Sequence, residues 1–261
     1  MDVGVDGKIL LITGATQGVG EAIALEAARS GADGVMVSGR NARRGADVAA
    51  ELEELGAEAG FVEAALEDSE APAAIFQATL DRFGRVDVVI NAAALTDRGS
   101  VADADPDFFD RMFAVNTRAP MLLMQELIRH LRERKAPGAI VNILSVNVHG
   151  GTPDLAVYAA SKAALAILTK NAAFTHRFDR IRANGILLGW ADTPGERDMQ
   201  ANKLGHGEEW LAKAEAGMPW GRMIKPEDVA RLAIFLASDA SIPMTGALID
   251  QQQDYVLGVR D

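Results

Sequence analysis

The sequence contains no cysteine in 261 residues. Disulfides and thiolate metal sites are therefore excluded, and any redox chemistry must run on a bound organic cofactor. Aromatic residues make up only 5 %, with two tyrosines, and proline is sparse at nine. Positive charge is also short, with 26 Lys and Arg against 37 Asp and Glu for a net charge of −11. That balance argues against a nucleic-acid backbone or an anionic membrane as the main partner, while leaving room for a local basic site for a phosphate. No apolar run approaches the ~20 residues that span a bilayer. The opening residues lack the basic segment, apolar run and small-residue cleavage site that together mark a secretory signal. These absences lead us to expect a cytoplasmic protein with no nucleic-acid or membrane partner.

What is present points to layered packing. Hydrophobic residues reach 49 %, glycine numbers 25, and charged residues stop at 24 %. This mix suits a tightly packed α/β protein and disfavours disorder. Apolar runs at 9–12, 35–37, 61–62, 86–90, 140–143, 183–188 and 247–249 read as strands buried on both faces. Helical stretches lie between them, at 21–30, 42–55, 73–83, 107–114, 118–134, 158–178 and 226–236. Strand–helix alternation along the whole length predicts a parallel sheet covered on both faces. No linker or repeat divides the chain, so residues 1–261 are expected to form a single dinucleotide-binding and catalytic domain. The rhythm breaks only at 191–225, where Gly, Pro, Trp and His occur in irregular order. A long insert at that place is the expected substrate lid.

Residues 13–20 read Thr-Gly-Ala-Thr-Gln-Gly-Val-Gly, between the first strand and the first helix. Glycines there let the backbone approach a pyrophosphate at a helix N-terminus. In such sites an acid about 20 residues further on binds the ribose 2′-hydroxyl. Here that position holds Ser38-Gly39-Arg40, a small residue and a fixed cation instead of an acid. A guanidinium can hold a 2′-phosphate bidentately, so NADP(H) is favoured and NAD(H) stays possible. Arg40 as a solvated loop residue is the plainer alternative, and the neutral Gln17 does not decide between them.

Residues 158–162 read Tyr-Ala-Ala-Ser-Lys. On a helix, Lys162 lies one turn after Tyr158 on the same face. A cation there would favour the phenolate and lower a pKa that is ordinarily near ~10. Gly14, Gly18 and Gly20, the run Asn91-Ala92-Ala93-Ala94, then Asn116, Ser145, Tyr158 and Lys162 together resemble the short-chain dehydrogenases/reductases. The resemblance covers essentially the whole chain and is to the single-domain branch of about this length. It implies a three-layer, Rossmann-like, doubly wound parallel sheet of about seven strands. It also implies hydride exchange between a nicotinamide cofactor and an alcohol or carbonyl substrate.

By that resemblance Tyr158 is the acid/base, Lys162 its activator, Ser145 the partner of the substrate hydroxyl and Asn116 the anchor of a water relay. Gly14, Thr16, Gln17, Gly18, Val19, Gly20, Arg40, Leu66 and Asn91 are the expected cofactor contacts, joined by Tyr158, Lys162 and, for the carboxamide, Thr193. The substrate is expected to meet Ser145, Asn147 and Tyr158. Polar Asn147 and His149 suggest a sugar or polyol, or serve only their own loop. Trp190, Trp210, Trp220 and His206 belong to or flank the expected lid. His149 and His206 lack the spacing of a metal site, so no metal is expected.

The pattern departs from the family at three places. Ala65 stands where an aspartate usually meets adenine, Leu188 replaces a proline before Gly189, and the C-terminal motif reads Asp250-Gln251-Gln252. Met121, Leu122, Met124, Leu127, Ile128 and Leu131 give the helix at 118–134 more apolar surface than one sheet contact needs. With the 158–178 helix, they make a homotetramer, or a homodimer, the expected assembly. The alternatives are a 3-oxoacyl or other ketone reductase, a non-catalytic dinucleotide-binding regulator, and an epimerase or dehydratase. The last two are disfavoured by the intact Tyr158–Lys162 pair and by the chain length with Asn116 and Ser145, respectively.

Overall fold

The structure is a computed structural model that describes residues 3–150 and 152–254. Seven strands form one parallel sheet: β1 (Ile9–Thr13), β2 (Gly34–Gly39), β3 (Glu58–Glu63), β4 (Val88–Asn91), β5 (Gly138–Ile143), β6 (Ile181–Leu188) and β7 (Leu248–Gln251). Their order is β3-β2-β1-β4-β5-β6-β7. The chain winds outward from β1 to β3 and then returns to β4 on the other side of β1. The carboxyl ends of β1 and β4 therefore border the crevice where such sheets bind ligands. Register sets Ser38, Thr13, Asn91 and Asn142 side by side along that edge.

Both faces of the sheet are covered, which is why its strands read as continuous apolar runs. All five residues of β1 are buried. Leu10 and Ile12 join a core with residues of α1 (Gly18–Arg29), α2 (Ala42–Glu54) and α9 (Pro226–Ala237). Leu11 points the other way, toward α3 (Ala71–Phe83), α5 (Ala119–Arg134) and α6 (Ala156–Thr175). This alternation is the two-residue period of a strand.

Boundaries moved where local geometry overrode pattern. Helix α1 starts at Gly18, because the glycine loop itself supplies the first turn. Helix α6 stops at Thr175, since the chain turns through Arg177–Asp179 and Arg180 takes a left-handed φ of 61°. Between α4 (Pro106–Phe113) and α5 lies a wide π-helical turn, Ala114–Arg118, that carries Asn116. The irregular 191–225 stretch contains α7 (Pro194–Asp198), a second π turn (Met199–Lys203) and α8 (Trp210–Ala216). Its two ends meet in a bridge between Ala191 and Ile224. Within it Asp192 accepts from Arg197 Nε and Nη2 at 2.6 and 2.7 Å and from Lys225 Nζ at 2.8 Å.

Candidate active site

A cleft of about 740 Å³ opens at the carboxyl ends of β1 and β4. Thirteen of the fifteen residues expected for cofactor, catalysis or substrate line it. They are Gly14, Thr16, Gln17, Gly18, Val19, Gly20, Arg40, Leu66, Ser145, Asn147, Tyr158, Lys162 and Thr193. The two others are Asn91 and Asn116, which lie buried behind the wall.

The loop after β1 explains its own glycines. A Cβ on Gly14 would sit 2.6 Å from Ala93 Cα, so this glycine lets the alanine run after β4 close against the loop. Ala93 N–H also donates to Thr13 Oγ1. A Cβ on Gly20 would sit 2.4 Å from the Gly14 carbonyl oxygen. Gly18 instead has room for a Cβ, in ordinary contact with Thr193 and Pro194, but takes a left-handed φ of 64°. No side chain caps the start of α1. Free N–H groups at a side-chain-free helix start make a cradle that fits a dinucleotide pyrophosphate.

At the ribose end Arg40 is 69 % exposed, with Nη1 3.8 Å from Glu67 Oε1. Two further groups there escaped the sequence reading. One is Glu67 itself. The other is Arg44, in the first turn of α2, whose guanidinium donates to Gln17 Oε1. The available signal for Arg44 was Asn41 as the N-cap of α2, accepting from the Arg44 N–H at 2.9 Å. Gly39 is hemmed in, because a Cβ there would lie 2.6 Å from Thr16 Cγ2. Asp68, downstream of Ala65, accepts from Glu70 N–H within its own turn.

Asn91 donates to Asn142 Oδ1 at 2.8 Å and ties β4 to β5, while its own Oδ1 is buried without a partner. Asn116 accepts from Leu95 N–H at 2.8 Å and donates to Leu95 O at 3.0 Å and to Ser161 Oγ at 3.1 Å. It thereby fixes the segment after β4 against α6 from behind the wall. Thr193 caps α7 by accepting from Glu196 N–H at 3.1 Å.

Ser145 follows β5 and accepts from Asn147 N–H at 3.2 Å. Lys162 is 2 % exposed and donates to the Ile143 carbonyl at 2.8 Å. Burial pulls its pKa down to about 8. The tyrosine contradicts one expectation: burial raises the Tyr158 pKa, and the Ser145 hydroxyl only partly offsets this. Lys162 was expected to lower it. That amine donates to the Ile143 carbonyl, and loss of water outweighs any help to the phenolate.

The rest of the cleft comes from the 191–225 stretch and the loops facing it. Trp190 Nε1 and Gln200 Nε2 both donate to Glu196 Oε1, at 2.8 and 2.7 Å. His206 Nδ1 lies 2.8 Å from Gln200 Oε1. Trp210 is buried against Trp190, with ring centroids 6.0 Å apart. Trp220 is exposed outside the cleft, and His149 turns away to Asp250 at 2.9 Å. Arg98 and Asp154, which the sequence reading passed over, stand on the wall beside Tyr158.

A dinucleotide cradle beside a tyrosine, a serine and a buried lysine defines a nicotinamide-dependent oxidoreductase. Comparison with known proteins agrees. Residues 14–251 match the family described as enoyl-(acyl carrier protein) reductase. A short-chain dehydrogenase/reductase of Cladobotryum sp. is 34 % identical over 248 residues, covering 93 % of each chain. The 3-oxoacyl (acyl-carrier-protein) reductase of Agrobacterium tumefaciens C58, solved with NADP bound, superposes with a TM-score of 0.88 at 27 % identity. That match covers 97 % of this chain and 96 % of the other. A candidate NAD(P)-dependent gluconate 5-dehydrogenase of Beutenbergia cavernae, also with NADP, gives 0.85 at 30 % identity over 96 % and 97 %.

The chain belongs to the short-chain dehydrogenase/reductase family. It is an enzyme that transfers a hydride between a nicotinamide cofactor and an alcohol or carbonyl.

Proposed function

We propose that this enzyme interconverts a hydroxylated alcohol, of the sugar or polyol kind, and its carbonyl, with Tyr158 moving the proton. The observation that carries this reading is the meeting of Tyr158, Ser145 and Lys162 on the wall of one cleft with the glycine cradle. When bound, the nicotinamide supplies or accepts the hydride. In oxidation Tyr158 Oη takes the alcohol proton, and in reduction it returns one to the carbonyl oxygen. Ser145 Oγ donates to that oxygen as charge builds on it. Lys162, on the same wall, would help hold the cofactor ribose and, as a cation there, would favour the phenolate. Asn116 and Asn91 act from behind, by fixing the walls. Thr193 and Leu66 border the bound cofactor, and residues 191–225 serve as the lid of a single catalytic domain.

For the substrate, the supporting feature is a wall rich in donors and acceptors: Asn147, Asp154, Glu196, Gln200 and His206. For the cofactor, Arg40 with Arg44 nearby supports NADP(H), while Glu67 beside Arg40 moderates that preference. A 3-oxoacyl substrate is the second reading, supported by the likeness to the A. tumefaciens reductase. A homotetramer is supported by the exposed Met121 of α5, Ile167 and Phe174 of α6, and Phe178 just beyond it. We place the enzyme in the cytoplasm. Fluorescence titration with NADPH and NADH, then an activity screen over polyols, sugars and 3-oxoacyl compounds, tests the function. Turnover confined to 3-oxoacyl compounds would reject the polyol reading. A monomeric mass by light scattering at micromolar concentration would reject the assembly.

A further inference from the structure

Charged groups from several elements share the cleft with Tyr158. Its own helix contributes Lys162. The segment between β4 and α4 contributes Arg98, the turn before α6 contributes Asp154, and α7 contributes Glu196. His206 and Asp254 stand on the same cleft wall. Arg98 and Glu196 are mostly buried, at 20 % and 14 % side-chain exposure, so their charges act through little water. Arg98 Nη2 lies 3.7 Å from Glu196 Oε1, and its Nε lies 3.5 Å from Asp154 Oδ2. Neither contact is a hydrogen bond, and both Arg98 Nε and Asp154 Oδ1 are buried without a hydrogen-bond partner among the described residues. Glu196 is held in place by Gln200, from the expected lid, and by Trp190, just before it.

We propose that Arg98 and Glu196 are a positioning pair for the proton step: they tie the 191–225 segment across the cleft and set the pH at which Tyr158 works. This rests on the acid/base reading of Tyr158. The guanidinium favours a phenolate and the carboxylate opposes it, as the sign of each charge requires. The Tyr158 pKa follows the same signs, with Glu196 raising it and Arg98 lowering it, after the larger effects of burial and the Ser145 hydroxyl. The two charges oppose one another on the phenol while the side chains stay together. A displacement of α7 that carries Glu196 away removes the carboxylate's opposition to Arg98 and makes the phenol more acidic. Segment position and proton transfer are coupled in this way through a single contact.

The test uses the pH dependence of alcohol oxidation. Glu196→Gln keeps an acceptor for Trp190 and Gln200 but loses the charge, and its alkaline-activated limb moves to lower pH. Arg98→Gln moves the limb to higher pH, and Arg98→Lys restores the parent profile. A fall in kcat with no movement of the limb, or movement of both glutamine variants in one direction, overturns the proposal. A second readout needs no turnover: tyrosinate absorbance of the folded, cofactor-free protein, with Tyr158→Phe as the blank. The chain has only two tyrosines, so the subtraction isolates Tyr158. The same two directions are expected there. If no alcohol is oxidised, this titration alone decides, and unchanged curves in both glutamine variants overturn the pair.

Discussion

Replacing Lys162 by methionine should stabilise the cofactor-free protein while abolishing most of its activity. The amine is 2 % exposed with no carboxylate paired to it among the described residues, and burial brings its pKa from 10.5 to about 8. At ~1.4 kcal/mol per tenfold change in proton affinity, holding this lysine charged costs the fold about 3 kcal/mol at pH 7. The folded protein binds the proton less tightly than the unfolded chain. Stability therefore rises with pH between about 8 and 10.5, and the full penalty is present below pH 8. Methionine removes the charge but leaves the Ile143 carbonyl without its donor, which costs roughly 1–2 kcal/mol. The net gain is about 1–2 kcal/mol, or roughly 3–6 °C in Tm for a chain of this size. Thermal unfolding without dinucleotide, at pH 7 and at pH 9.5, measures it. The gain should shrink to near zero at the higher pH, where the parent's lysine is already neutral. A variant that melts below its parent at pH 7, or a Tm difference indifferent to pH, would refute the reasoning.

Three other outcomes follow from the geometry. Tyr158→Phe should leave dinucleotide affinity nearly intact and remove most turnover; more than about a tenth of kcat remaining would count against the proton role, given the ~10²–10⁴-fold typical of such catalysis. Arg40→Ala should weaken NADP(H) binding roughly three- to tenfold and leave NAD(H) within about twofold, a modest effect because the guanidinium is solvated and shared with Glu67. Equal losses for both dinucleotides in parallel fluorescence titrations would remove Arg40 from the 2′-phosphate site. Asp192 has a pKa lowered from 3.8 to about 2, chiefly by its Arg197 hydrogen bond and then by Lys225 against the cost of burial. Its stabilisation, about 2 kcal/mol, is present above pH ~4 and lost as the pH falls toward 2. Asp192→Asn should therefore lower Tm by several degrees at pH 7 and by about half as much near pH 3, as read by circular dichroism melts.

Local chemistry made much of this protein legible in its sequence. A parallel sheet buried on both faces demands unbroken apolar runs, and a helix opening on a pyrophosphate demands glycine. Those requirements placed all seven strands and the loop from Gly14 to Gly20. The Tyr158–Lys162 spacing is likewise a property of one helix, so it survived folding unchanged. Other features depend on which distant segments meet. Partial burial on the cleft wall turned the expected effect on Tyr158 around, because desolvation is decided by everything packed around the phenol. Arg98, Asp154 and Glu196 come from separate segments and carry no shared spacing, so only tertiary packing makes them neighbours. Arg44 becomes relevant because the start of α2 swings it onto Gln17, and Asn91 lies behind the wall because β4 pairs with β5 through Asn142. The sequence by itself determined the order of elements and the chemistry of the short motifs, which are set by periodicity and backbone sterics. The tertiary structure alone decided which charges share the cleft and how far each is screened, since both depend on distances between residues far apart in the chain.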